Sequence, residues 1–274
     1  MPGDADLALL EQVCAIARAA GEEILAVYRT DFAVQLKADD SPLTAADRRA
    51  HALIKERLAA LEPRLPLLSE ESRPEELAER RSWKRYWLVD PLDGTKEFLK
   101  RNGEFTVNIA LIDEHRAVLG VVYAPALGRL YAGALGHGAF RQDDDGPRQP
   151  IRVRRPAPER PRVVGSRSHP SGALGAYLAA LGPHELKPMG SSLKICLVAE
   201  GAADVYPRFG PTSEWDTAAA QAVLESAGGV IIDTVGQPLR YNSKEHLLNP
   251  HFLAFGDHRR DWLAPLRSDQ WMGK

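Results

Sequence analysis

In the stretch WLVDPLDGT, residues 87–95, an apolar run closes on two acids, Asp90 and Asp93, set three positions apart around Pro91. Proline has no N–H to give a sheet, so the spacing predicts a strand that stops at Asp90 and a bend holding Asp93 and Gly94. Two carboxylates at one turn repel each other, and one takes up a proton unless a divalent cation keeps both ionised. GTKEFLKR then reads as the opening of a short helix, whose N–H groups at Gly94 and Thr95 form an anion site beside the acids. A metal and a phosphate would sit side by side. The plain alternative is an Asx turn with Asp93 as a helix N-cap.

Other acids fall at similar places. LLSEES sets Glu70 and Glu71 directly after a short apolar run, and EWDT sets Asp216 at the start of a long helical pattern. Singly, the glutamates read as solvated and Asp216 as a cap. Together, acids at the ends of elements make an oxygen-rich set that suits Mg²⁺ or Mn²⁺ and not zinc, since no His or Cys lies near them in sequence. SPLTAADRRA adds Thr44 and Asp47, which fit a capping box. They also fit a second role, in which Asp47 accepts the proton of the Thr95 hydroxyl while that hydroxyl orients and deprotonates a water on the cation.

The elements that must position these residues are legible from periodicity. Leu10, Val13, Ala17, Ala20, Ile24 and Tyr28 recur at three and four, predicting a helix over 7–28, and a second runs from about Thr44 to Leu61, closed by Pro63. YWLVD, FTVNIALID, AVLGVVYAP and RLYAGAL read as a largely antiparallel sheet lying on those two helices. Between about Gln142 and Arg162 the chain turns proline-rich and charged, and we place a boundary there: residues 1–150 form an N-terminal α+β lobe with most of the acids, 151–274 a C-terminal α/β lobe. Asp143 to Gly146 lack the ligand alternation of a calcium loop and read as a solvated hairpin tip. Beyond, RVVGS is a strand, SGALGAYLAAL a helix, SSLKICLVAEGAADVY a helix leading to a strand, and WDTAAAQAVLESAGG a helix ended by a glycine pair. That alternation favours a mixed sheet.

The chain has 274 residues, 44% of them hydrophobic, enough for a packed core. A formal charge of −2 argues against nonspecific nucleic-acid binding. Asp4, Asp6, Glu11, Glu22 and Glu23 do not suit a leader, and no apolar run is long enough to span a membrane, so a cytoplasmic location is expected, with peripheral association with the inner membrane left open. Cys14 and Cys196 read as buried reduced thiols.

WLVDPLDGTKEF, LLSEES, SPLTAAD and EWDTAAAQAVLESAGG, in this arrangement, resemble the inositol monophosphatase superfamily of Mg²⁺-dependent, Li⁺-sensitive phosphatases over about residues 7–255. Lys96, Glu97 and Phe98 after the DGT, with GSRSH, GSSLKICLVAEGAADVYPRFGPT and the late LNP, are similar to its 3'(2'),5'-bisphosphate nucleotidase branch. The resemblance implies a layered αβαβα sandwich of the inositol monophosphatase and fructose-1,6-bisphosphatase type, and hydrolysis of adenosine 3',5'-bisphosphate to AMP and phosphate, a step linked to sulfate assimilation. It implies two or three Mg²⁺ ions, replaceable by Mn²⁺ and opposed by Li⁺ and Ca²⁺, held by Glu70, Asp90, the Leu92 carbonyl, Asp93 and Asp216. Thr95 and Asp47, with Glu70, become the catalytic residues, and Glu71 has a less defined part. The phosphate falls on Gly94 and Thr95. Ser166, Arg167, His169, Ser191, Lys194, Arg208 and Asp216 fall along the nucleotide, and a homodimer is compatible with the family.

Three other readings stay open on the residues. An inositol or small-sugar phosphatase of the same superfamily would share the acids. Haloacid dehalogenase phosphatases also end a strand in acids, but two apart, and attack phosphorus covalently. A Mg²⁺-dependent nucleotide-binding regulator without catalysis would need a gap in the acid set, and none is seen.

Overall fold

A computed structural model of the chain describes residues 4–30, 45–167 and 172–268. The apolar stripe at the start becomes helix α1, Asp4–Tyr28, packed beside α2, Ala45–Ala59, with Val13, Ala17, Ala20, Ile24, Ile54 and Leu58 buried. Thr44, expected to open the second helix, lies outside the described residues. There follow β1 (Leu67–Ser69), β2 (Arg85–Asp93), α3 (Thr95–Leu99), β3 (Thr106–Asp113), β4 (Arg116–Ala124), β5 (Arg129–Ala134), β6 (Gly138–Asp143) and β7 (Gln149–Ile151). The rest is β8 (Arg162–Ser166), α4 (Gly172–Leu181), β9 (Glu185–Met189), α5 (Leu193–Ala199), β10 (Val205–Arg208), α6 (Ala218–Ser226), β11 (Val230–Asp233) and β12 (Phe252–Phe255).

Strands β1 to β7 make one seven-stranded sheet in chain order, β1 parallel to β2 and the remainder antiparallel. A second sheet of five strands, ordered β11-β12-β10-β8-β9, mixes parallel and antiparallel pairs. Alternation along each strand divides the apolar residues into three cores. Trp87, Val89, Ile109 and Val121 face α1 and α2, while Leu88, Ala110 and Val122 turn to the opposite face and meet Ile195, Leu197, Val223 and Leu224 of α5 and α6. Tyr206, Phe252 and Ala254 of the second sheet complete that middle core. On the far side Val163, Leu253 and Phe255 pack with Tyr177 of α4, Trp262 and Leu266. The result is five layers, helices–sheet–helices–sheet–helix, the α+β sandwich expected.

Close approach between layers depends on a small residue. A Cβ on Gly120 of β4 would stand 2.1 Å from the Ala219 carbonyl oxygen of α6, so only glycine lets that helix lie down on the sheet. Residues 144–146 form the turn between β6 and β7, and Asp143, at the end of β6, is gripped by Arg129 and Arg141. Cys14 and Cys196 are buried and free, and burial pushes the Cys14 thiol up to about 12.

One local expectation is corrected. The strand does not stop at Asp90: β2 continues through Pro91 to Asp93, with Asp90 opposite Asn108 and Asp93 opposite Thr106. Pro91 and Leu92 therefore face the single residue Val107, a bulge that absorbs the missing N–H of the proline. Its consequence is geometric. Residues three apart on a regular strand point to opposite faces, and the bulge returns both acids to the same one.

Candidate active site

The acids collect where β2 ends against the middle layer. Ligand oxygens of Asp90, Asp93 and Asp216 all lie within 4.8 Å of one another, Asp90 buried and the other two half-buried. Asp90 Oδ1 accepts the Leu92 N–H at 3.0 Å, which holds the bulge closed around it. Asp216 arrives from a short 3₁₀ turn, Glu214–Asp216, just ahead of α6, and its Oδ2 accepts the Ser213 N–H at 2.8 Å. Asp216 thus closes the capping box of this turn, whose N-cap is Ser213, and is not the cap of the long helix that the sequence suggested, which has Thr217 there. Its turn is anchored by Glu214, fully buried, which accepts the Asn242 N–H at 2.6 Å and the Lys244 ammonium at 3.0 Å.

Electrostatics show what the cluster lacks. Burial, then the charges of Glu70, Asp93, Asp216 and Asp47, push Asp90 well above the usual carboxylate range. Burial and the Asp93 charge push Asp216 up to about 8. Burial raises Asp93 too, although the Lys194 charge and hydrogen bonds from Ser192 and Asn108 pull against it. So many carboxylates in a shared, poorly solvated space call for positive charge, and their hard oxygen donors fit Mg²⁺ or a similar cation. Glu70 follows β1, is exposed and stands outside the tight triad, but its charge is the largest acting on Asp90 after burial. Asp47 stands in the first turn of α2, is buried, and also acts on Asp90. Close by, His51 Nδ1 lies 3.0 Å from Ser69 Oγ and ties α2 to the end of β1 that carries Glu70.

A cavity of about 270 Å³ opens from this cluster. Asp93 and Asp216 line it, as do Gly94 and Thr95 at the start of α3. Gly94 has φ +88°, a left-handed conformation that glycine adopts without strain and that turns the strand into the helix. Ser166, Ser191, Lys194, Tyr206 and Arg208 are also among its lining residues. Lys194 is buried, donates to the Ser191 carbonyl at 2.5 Å and lies 5.5 Å from the Tyr206 ring centre. Burial lowers its pKa to about 8 against the opposing pull of Asp93. Arg208 Nη2 donates to the Pro211 carbonyl at 2.9 Å.

Arg167 is placed differently. Its Nε and Nη2 grip Glu104 at 2.8 and 2.7 Å, and it is not part of the cavity wall. His169 lies outside the described residues. Sequence reasoning passed over Asn108, Ser192, Tyr206 and Glu214. Asn108 had a signal, a lone amide inside the apolar strand FTVNIALID, and Glu214 was an acid two places from Asp216.

Comparison with known proteins identifies the family and the fold. The model of the inositol monophosphatase family matches residues 7–268. The chain belongs to the inositol monophosphatase family. It is 53% identical over 246 residues to the 3'(2'),5'-bisphosphate nucleotidase CysQ of Escherichia coli strain K12, covering 89% of this chain and 98% of that one. The crystal structure of CysQ from Bacteroides thetaiotaomicron, itself described as a bacterial member of the inositol monophosphatase family, superposes with a TM-score of 0.81 at 43% identity, covering 93% of this chain and 98% of that one. An inositol monophosphatase from Anabaena superposes with a TM-score of 0.75 at 25% identity, covering 96% of each chain. Family membership sets aside the haloacid dehalogenase reading. No helix among the described residues is long and apolar enough to cross a membrane.

Proposed function

We propose that the chain is a 3'(2'),5'-bisphosphate nucleotidase that hydrolyses adenosine 3',5'-bisphosphate to AMP and phosphate in a Mg²⁺-dependent reaction, serving sulfate assimilation. The observation that carries this reading is a single cavity lined by the acids Asp93 and Asp216, by Gly94 and Thr95 at the start of α3 and by the cations Lys194 and Arg208, in a chain 53% identical to CysQ nucleotidases. A substrate with one phosphate has no use for that second cationic seat.

Glu70, Asp90, the Leu92 carbonyl, Asp93 and Asp216 would hold the cations. When bound, Mg²⁺ supplies Lewis-acid charge to the phosphoryl oxygens and acidifies a coordinated water. The remaining work belongs to the chain. The Gly94 and Thr95 N–H groups orient the 3'-phosphoryl group. Thr95 takes the proton of the attacking water and passes its own to Asp47, the water oxygen bonds to phosphorus in line, the bond from phosphorus to O3' breaks, and the O3' alkoxide takes a proton from a solvent water to become the ribose hydroxyl. Lys194 and Arg208 hold the 5'-phosphate as charge-assisted donors.

Phosphate release from adenosine 3',5'-bisphosphate, inositol 1-phosphate and fructose 1,6-bisphosphate, with and without Mg²⁺ and Li⁺, tests the reading. It expects the bisphosphate nucleotide to give the highest kcat/KM, only with Mg²⁺, and Li⁺ to inhibit. A preference for inositol 1-phosphate overturns the substrate, and full activity in chelator overturns the metal.

A further inference from the structure

The carboxylate of Asp93 is oriented by a buried chain of hydrogen bonds behind it. Thr106 Oγ1 lies 2.9 Å from Ser192 Oγ, Ser192 Oγ donates to Asn108 Oδ1 at 2.8 Å, and Asn108 Nδ2 points at Asp93 Oδ2 from 3.4 Å. The Ser192 N–H donates to that same Oδ2 at 2.6 Å. Thr106, Asn108 and Ser192 are exposed by only 0%, 1% and 4%, so water does not supply alternatives.

Donor and acceptor capacity gives the chain a direction. A hydroxyl has one proton, and Ser192 spends it on Asn108, so Thr106 is the donor in the Thr106–Ser192 pair. The Asn108 oxygen is thereby held toward Ser192 and its N–H₂ toward Asp93. Flipped, the amide would set an oxygen against a carboxylate. Two N–H donors then converge on Oδ2 of Asp93, and Oδ1 takes part in neither bond. The register that places Asp93 opposite Thr106 and Asp90 opposite Asn108 puts Thr106 and Asn108 on the face carrying the acids.

We propose that Asn108, its amide fixed by Thr106 and Ser192, is a positioning residue that assigns one oxygen of Asp93 to the cation and the other to the protein. This rests on the reading of Asp93 as a metal ligand. A merely structural polar cluster would contribute to folding stability alone; a positioning role appears in cation affinity.

The experiment is calorimetric titration of Mn²⁺ alone into the chelator-treated full chain, for wild type, Asp93→Asn, Asn108→Ala and the isosteric Thr106→Val, with thermal midpoints measured in parallel. Asn108→Ala is expected to weaken Mn²⁺ binding by about 10–100-fold. Thr106→Val, which removes only the first donor, should weaken it by a smaller factor, still more than about twofold. At saturating Mn²⁺ the KM for adenosine 3',5'-bisphosphate should stay within about twofold in both, separating cation positioning from general damage to the site. Mn²⁺ affinities within about twofold of wild type overturn the proposal, and Thr106→Val decides it if Asn108→Ala does not fold. Wild type that takes up no Mn²⁺, or takes it up equally after Asp93→Asn, fails at the metal reading itself and removes this inference with it.

Discussion

At Asp93 two N–H donors meet one oxygen, and the acids Asp90 and Asp216 stand within 4.8 Å. Asp93→Asn keeps the shape and removes a charge from the set, so turnover should fall by roughly a hundredfold or more; near-normal phosphate release would contradict the metal assignment. Thr95, at the opening of α3, is the proposed proton carrier. Thr95→Ala should lower kcat by about 10²–10⁴ while Mn²⁺ binding and KM hold, and an unchanged kcat rules the role out. Lys194 is buried beside Tyr206 and donates to Ser191. Removing a charged hydrogen-bond donor costs about 1.5–3 kcal/mol, so Lys194→Ala should weaken adenosine 3',5'-bisphosphate by about 10–100-fold and adenosine 3'-monophosphate far less. Equal losses on the two substrates would take Lys194 out of the 5'-phosphate seat.

Elements set these residues through a few local departures from regularity. The β2 bulge at Pro91–Leu92 places Asp90 and Asp93 on one face, and the left-handed Gly94 then swings the chain into α3. Helix α6 carries Asp216 at its entrance and must press on β4 to bring it to the cluster. Gly120→Ala would drive a methyl into the Ala219 carbonyl, which needs a backbone shift costing about 1–3 kcal/mol. The measurement is urea denaturation at fixed pH, with Mn²⁺ titration alongside. Loss of both stability and cation affinity is expected, because the helix that moves directly follows the turn bearing Asp216; unchanged stability would show that the two layers can separate freely.

The whole molecule keeps an acidic cluster at the junction of its layers, and the proton balance there gives a signed prediction. Asp216 binds its proton up to about pH 8 in the folded, metal-free chain, whereas an unfolded aspartate releases it near pH 4. Between those limits the folded state holds more protons, so metal-free stability falls as pH rises. A cation competes with the same protons and binds the ionised fold alone, so its stabilisation grows over the same interval. In chelator the thermal midpoint should drop from pH 5 to pH 8, and Mg²⁺ should raise it more at pH 8 than at pH 5. A flat midpoint in chelator, or equal Mg²⁺ gains at both values, would mean that these carboxylates are not crowded as described.

Local rules of the chain were enough for the helices α1 and α2, the meander β2–β5, the Gly94 turn and the acids at element ends, because periodicity, proline and glycine act over a few residues. They were not enough for the bulge that carries β2 past Pro91, nor for β9, β11 and β12, short strands that become strands by pairing with distant segments. Arg167 and Asn108 mark the same limit at the site. One side chain read as an anion binder grips Glu104, and another, a lone amide in an apolar strand, ends up donating to Asp93. Which partner a polar group meets depends on residues such as Ser192, 84 positions away from Asn108, and only the packing of the layers brings them into hydrogen-bond range.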